Sequence, residues 1–158
     1  MKTYKLNDLN NPLISVLMPA YNAEKYIKEA IESILNQTFS NFEFIIIDDG
    51  SIDATEEIIK SFKDSRIVYI KNEKNLGLIK TLNKGISIAR GEFIARMDSD
   101  DISMPQRFEL QLDVFKKYKG VDIVNVALKK MSEDGTKLSK YRHNIYPGFE
   151  AIHYLINI

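Results

Sequence analysis

A chain of 158 residues with 44% hydrophobic and 28% charged side chains can enclose a core and reads as one globular domain. Its 22 Lys and Arg balance its 22 Asp and Glu, which excludes the bulk basic field expected of a nucleic-acid binder. It has no cysteine, so disulfides and thiolate metal sites are excluded, and a reducing, cytoplasmic setting is expected.

Residues 1–12 read as a polar N-terminal extension to a domain over 13–158, and they lack the apolar core of a secretory signal. No apolar run approaches the ~20 residues that span a bilayer. Membrane contact is therefore expected to be peripheral, at the inner face of the cell membrane. Leu13 to Met18 is an apolar run that stops at Pro19 and predicts a central first strand. Asn22 is placed to cap the next helix, where Ile27, Ala30, Ile31, Ile34 and Leu35 recur at helical spacing. Phe42 to Ile47 predicts a second strand, apolar on both faces as in a covered parallel sheet, and it runs into Asp48-Asp49-Gly50-Ser51. Asp53 and Glu56 have capping-box spacing ahead of a helix marked by Ile58, Ile59 and Phe62. Arg66 to Ile70 predicts a third strand, and Lys71 to Gly77 a loop. The following helix is expected to bury Ile79, Leu82, Ile86 and Ala89 and to close with Gly91 as a left-handed cap.

Phe93 to Met97 predicts a short buried strand ending in Asp98, Asp100 and Asp101. Carboxylates this close repel one another unless a cation or several donors sit among them. On an extended segment Asp98 and Asp100 would point the same way, a seat for Mg2+ or Mn2+ carrying phosphates. The plainer reading is an acidic turn with Ser103 capping the next helix. Ser103, Pro105 and Gln106 have the pattern of a helix start, with Phe108, Leu112 and Phe115 as its buried row. Val121 to Leu128 predicts a strand, Asp134-Gly135 a hairpin turn, and Pro147 onward a last helix using Phe149, Ile152 and Leu155. His143 and His153 lack metal-ligand spacing and read as surface or partly buried residues.

Alternating strands and helices predict an α/β domain with a mainly parallel sheet, helices on both faces and right-handed crossovers. Ligands in such sheets bind beyond the carboxyl ends of the strands. Pro19-Ala20-Tyr21-Asn22, Asp48-Asp49-Gly50-Ser51 and Asp98-Ser99-Asp100-Asp101 should all open on that edge. Their convergence predicts one site for a nucleotide plus metal.

In order and spacing, Val16 to Asn22, Ile47 to Ser51, Asn75-Leu76-Gly77, Gly91-Glu92 and Met97 to Asp101 resemble family 2 glycosyltransferases. The likeness runs from about Ile14 to Phe115. It implies the Rossmann-like GT-A fold and inverting transfer of a sugar from a nucleoside diphosphate sugar, with UDP expected, to a hydroxyl. The acceptor would be a saccharide or a lipid-linked molecule in cell-surface polysaccharide or glycolipid synthesis. By the resemblance, Pro19 and Tyr21 lie along the nucleoside and Asp49 accepts from the base. Asp48 supports that loop. Asp98 sits near ribose and metal, Asp100 ligates Mn2+ or Mg2+, and Asp101 either supports the metal or shapes the turn.

Two features depart from the family pattern. Leu82 stands where many members carry Arg, leaving Lys80 or Arg96 to face the phosphates, unless Lys80 is a solvated helix face and Arg96 a structural ion pair. The general base is not evident, since Glu133, Asp134 and Glu150 are the only late acids, and the resemblance places it beyond Ile158. The chain is thus expected to be an N-terminal piece of a longer bacterial-type enzyme, with an apolar face that a second copy could cover. The alternatives are a truncated nucleotide-binding module without turnover and a nucleotidyltransferase. The latter would carry a Gly- and Lys/Arg-rich loop after the first strand. An oxidoreductase is disfavoured because no Gly-x-Gly-x-x-Gly follows that strand.

Overall fold

A computed structural model describes residues 11–126, residue 132 and residues 154–157. The apolar runs become strands β1 (Ile14–Ala20), β2 (Phe42–Asp48), β3 (Ile67–Lys71) and β4 (Phe93–Arg96). These run parallel in the order β3-β2-β1-β4. The sheet is completed by β5 (Ile123–Asn125) and β6 (Tyr154–Asn157), with β6 antiparallel to both β4 and β5. Residues 154–157 are therefore strand, where a helix was expected. In that place they pair the backbone groups of β4, which would otherwise be a sheet edge. The predicted hairpin at Asp134-Gly135, and Glu133, Glu150, His143, His153, Phe149 and Ile152, lie outside the described residues.

Pro19 does not end β1. Met97 N–H donates to Leu17 C=O, so residues 17 and 19 turn their backbone polar groups toward β4. β4 ends at Arg96, so the N–H that Pro19 lacks has no ladder partner to lose.

Alternate residues of the strands feed two apolar layers. Val16, Met18, Phe44, Ile46 and Ala95 pack under α1 (Ile27–Leu35), α2 (Thr55–Ser61) and α4 (Arg107–Lys117). Phe108 of α4 meets Phe42 edge-on, with centroids 5.7 Å apart. Leu17, Ile45, Ile47 and Ile94 face the other way, under α3 (Leu78–Ile88). Helices thus cover both faces, as the alternating pattern predicted.

The helix starts differ from expectation. Asn22 takes φ 48°, outside any helix, and its Oδ1 accepts from Ile52 N–H. Asp53 accepts from Thr55 N–H and from Glu24 N–H. Glu56 does not close a capping box. It turns outward to Lys60 and Lys71, whose hydrogen bonds hold its carboxyl down at about 2. Ser103 precedes α4 without capping it. Its N–H donates to Ser33 Oγ and its hydroxyl accepts from Gln37 Nε2, bolting the loop to α1.

The buried face of α3 is also not the predicted one. Ile79 and Ile86 are 75% and 49% exposed, and Thr81 and Gly85 are buried in their place. A Cβ on Gly85 would already stand 3.3 Å from Leu17 and Ile47 methyls, so the helix rides close on the sheet and only small residues fit beneath it. Leu82 and Ala89 keep their predicted inward positions.

Gly91 is not a left-handed cap, because α3 ends at Ala89 in extended geometry. Glycine is needed for clearance: a Cβ at 91 would lie 2.5 Å from Ser15 N and 2.7 Å from Ile14 C. Both obstacles are backbone. Gly91→Ala is therefore expected to cost about 1–3 kcal/mol by overpacking, read as a lower midpoint in urea unfolding.

Candidate functional site

The parallel register brings the three polar strand tips to one edge. Ala20 pairs with Asp48 on one side of β1, and Leu17 with Arg96 on the other. Adjacent strands lie about 4.8 Å apart, so the tips of β2 and β4 stand roughly 10 Å apart across the end of β1. Asp48–Ser51 and Asp98–Asp101 therefore flank Pro19-Ala20-Tyr21.

The first loop is clasped to the second. Asp49 N–H donates to Ala20 C=O, Asn22 N–H to Ser51 Oγ and Ala23 N–H to Thr55 Oγ1. Tyr21 is held at the rim, 48% exposed. Asp48 is fully buried and structural: its Oδ1 accepts from Ser51 N–H at 2.8 Å, and Tyr69 donates to Oδ2 at 3.4 Å. Burial, together with the Asp48 and Glu56 charges, pushes the Tyr69 hydroxyl well above its usual range, keeping it a donor.

Asp49 organises the far wall. Its Oδ1 accepts from Asn72 Nδ2 at 2.7 Å and Leu76 N–H at 2.9 Å, and its Oδ2 from Gly77 N–H at 2.9 Å. Burial pushes this carboxyl up, but the donors from Leu76, Asn72, Thr81 and Gly77 outweigh it and hold Asp49 below the usual carboxylate range. Its neighbour Gly50 has φ +78°, and the chain at Lys74 passes so close that a Cβ there would lie 2.7 Å from a backbone carbon. The loop predicted over 71–77 is thus drawn onto the tip of β2, and it delivers Gly77 directly into α3. Lys84 Nζ in turn donates to Asn72 Oδ1 at 2.6 Å. Asn72 was not singled out from the sequence. Its place one residue after β3, on the carboxyl edge, was the available signal.

The tip of β4 is a turn rather than an extended segment. Asp101 N–H donates to Asp98 C=O at 3.3 Å, so Asp98 and Asp100 do not project in parallel from a strand. Asp98 is paired with Arg96, which reaches both carboxylate oxygens at 2.9 and 3.2 Å. Asp100 is exposed, as is Lys80. Beneath the turn lies Arg107, which sequence reading passed over as part of a helix start. Its guanidinium donates to Arg96 C=O at 2.9 Å and Gln111 Oε1 at 3.1 Å and faces Met97 Sδ. Burial pulls it down to about 10, against the opposing pull of Asp101 and Asp98.

Among the described residues no group of three His, Asp or Glu side chains is arranged as a metal cage. Mg2+ and Mn2+ are commonly held by one or two carboxylates, with water and substrate phosphates completing the shell. Asp100 is exposed, and Asp98, engaged by Arg96, stands in the same turn on the sheet edge that also carries Asp49.

The model of the family described as glycosyl transferase family 2 matches residues 15–156. An uncharacterized glycosyltransferase, MJ1057 of Methanocaldococcus jannaschii, is 42% identical over 145 residues, covering 89% of this chain and 50% of that protein. WfgD of Escherichia coli, named as a UDP-Glc:alpha-D-GlcNAc-diphosphoundecaprenol beta-1,3-glucosyltransferase, is 37% identical over 74% of this chain and 49% of its own. Among solved structures, S. aureus TarS 1-349 in complex with UDP-GlcNAc superposes with a TM-score of 0.67 at 30% identity, covering 75% of this chain and 34% of TarS 1-349. The chain spans about half the length of the two sequence relatives.

Proposed function

Because the chain belongs to glycosyl transferase family 2 and has its GT-A fold, we propose that it carries the donor half of an inverting transferase. The donor is a UDP-sugar, and the acceptor is a hydroxyl on a growing polysaccharide or a lipid-linked saccharide. The observation that supports this most is the meeting of Asp49 and the Asp98–Asp101 turn on one edge, either side of Pro19-Ala20-Tyr21. The donors named in TarS and WfgD point the same way.

Within this reading Pro19 and Tyr21 lie along the nucleoside, and Tyr21 offers an exposed ring for stacking. Asp49 Oδ2 takes one backbone N–H and keeps a lone pair for the N–H of the base. Asp98 faces the ribose and, with Asp100, holds Mn2+ or Mg2+. When bound, that ion supplies Lewis-acid stabilisation to the departing diphosphate. The Arg96–Asp98 pair holds Asp98 in place and engages Arg96 rather than freeing it for phosphate. Lys80 is exposed on α3, the solvated helix face that was its other reading. No described residue is assigned the role of the base that takes the acceptor proton.

Calorimetric titration of the chain with UDP, with and without Mn2+, tests the assignment. The expected result is tighter binding with Mn2+ and loss of that increment in Asp100→Ala. Asp49→Ala is expected to weaken UDP even in EDTA, by about tenfold or more. Equal losses in the two variants, or no binding by the parent, would refute the division of roles.

A further inference from the structure

The side of α3 turned away from the sheet is the surface that the donor site leaves unused. The eighteen residues from Lys74 to Gly91 contain four basic side chains and no acidic one, flanked by Glu73 and Glu92, in a chain whose 22 basic and 22 acidic side chains balance as a whole. Ile79 and Ile86, seven apart and so on one stripe, are 75% and 49% exposed, and Leu78 is 50% exposed. Lys80 stands exposed beside that stripe, and Lys74 lies exposed in the loop before the helix. Arg90 follows the helix and shares its charge with Glu43. A helix held to the sheet by small residues, and presenting isoleucine among lysines, is built like an interfacial helix. Its apolar stripe can enter the acyl boundary while the lysines meet anionic headgroups. Gly77, just ahead of the helix, donates to Asp49, so the same element links this surface to the candidate site. No helix among the described residues is long and apolar enough to cross a membrane.

We infer that the outer face of α3 docks the protein peripherally on an anionic bilayer. The occupant is a lipid surface rather than a second copy, because a second copy would set Lys74 and Lys80 against their own like charges, whereas anionic headgroups neutralise them.

Flotation with vesicles tests this without any nucleotide, so its failure would leave the donor-site reading untouched. The chain is expected to float with vesicles of phosphatidylcholine mixed with phosphatidylglycerol and to stay behind with phosphatidylcholine alone. Ile79→Asp combined with Ile86→Asp should lower the bound fraction at least about tenfold. Lys74→Glu combined with Lys80→Glu should remove the preference for phosphatidylglycerol. All four side chains are exposed, and circular dichroism checks that each variant keeps its helices. No flotation by the parent, or undiminished flotation by the isoleucine variant, would overturn the inference. So would a dimer in light scattering that the isoleucine variant abolishes, since the stripe would then be taken by a second copy.

Discussion

Asp49→Asn is expected to destabilise the chain by about 2 kcal/mol, although it replaces the side chain with one of nearly the same size. The carboxylate accepts from Asn72, Leu76 and Gly77 through both of its oxygens. An amide has one oxygen and one NH2 group. In either orientation the NH2 must face a backbone donor: at the Oδ1 position it takes the acceptor from Leu76 N–H, and at the Oδ2 position it meets Gly77 N–H, which keeps only Asn75 Oδ1 at 2.9 Å. Thermal unfolding should show a fall of roughly 4–8 °C. Hydrogen exchange should show Leu76 and Gly77 losing protection while the amides of β1 keep theirs, since Asp49 ties a loop and not the ladder. The pH dependence gives an independent check. Asp49 is held below its ordinary value in the folded state, so its contribution is present above the unfolded value of 3.8 and is lost as pH falls through the folded value. The Asn variant should lack that share of the acid-induced loss. An Asn variant with unchanged Tm and unchanged exchange at Leu76 and Gly77 would show that the three donors find other acceptors.

The contrast between ladder and loop also marks what was legible in the sequence. Strands buried on both faces are read directly from runs such as Phe42 to Ile47, because a parallel strand needs no polar face. Their direction then places Asp48 and Asp98 on one edge with no further information. Misreadings arise where a side chain has a tertiary partner that periodicity does not reveal. Ile79 and Ile86 have the spacing of a core face, yet the sheet approaches α3 so closely that only Thr81 and Gly85 fit. Asn22, Ser103 and Gly91 carry the right chemistry for helix ends and spend it on other chain segments: Ile52, Gln37 and the backbone of Ser15. At the site, a structural ion pair for Arg96 was read as one option among two with no partner named, because nothing in the order Arg96-Met97-Asp98 says which way the guanidinium turns. Arg107 was missed for a related reason. A cation at the first position of a helix is ordinarily a solvated one, and only the packing of α4 against β4 shows it buried.

That burial makes Arg107→Met the most telling change at the β4 tip. Arg107 is 4% exposed, lies over Phe108 at 5.4 Å and feels the charges of Asp101 and Asp98. A folded value near 10 against the ordinary 12.5 corresponds to a penalty of roughly 3 kcal/mol for burying the charged form. The penalty is fully present at neutral pH, below both values, and recedes only as pH rises past the folded one. Methionine has similar length and no charge, so the variant is expected to keep its Tm within about 3 °C of the parent or to exceed it. The site should suffer instead. Arg96 C=O loses a donor, and Asp98 and Asp101 lose the positive field beneath their turn. The Mn2+-dependent increment in UDP affinity should shrink by about tenfold. Stability retained while the turn loses its hold on metal and diphosphate would mean that the buried cation is kept for the turn above it. A large fall in Tm with the Mn2+-dependent increment unmoved would assign Arg107 to bracing α4 against β4, and the turn would then hold its shape through the Arg96–Asp98 pair.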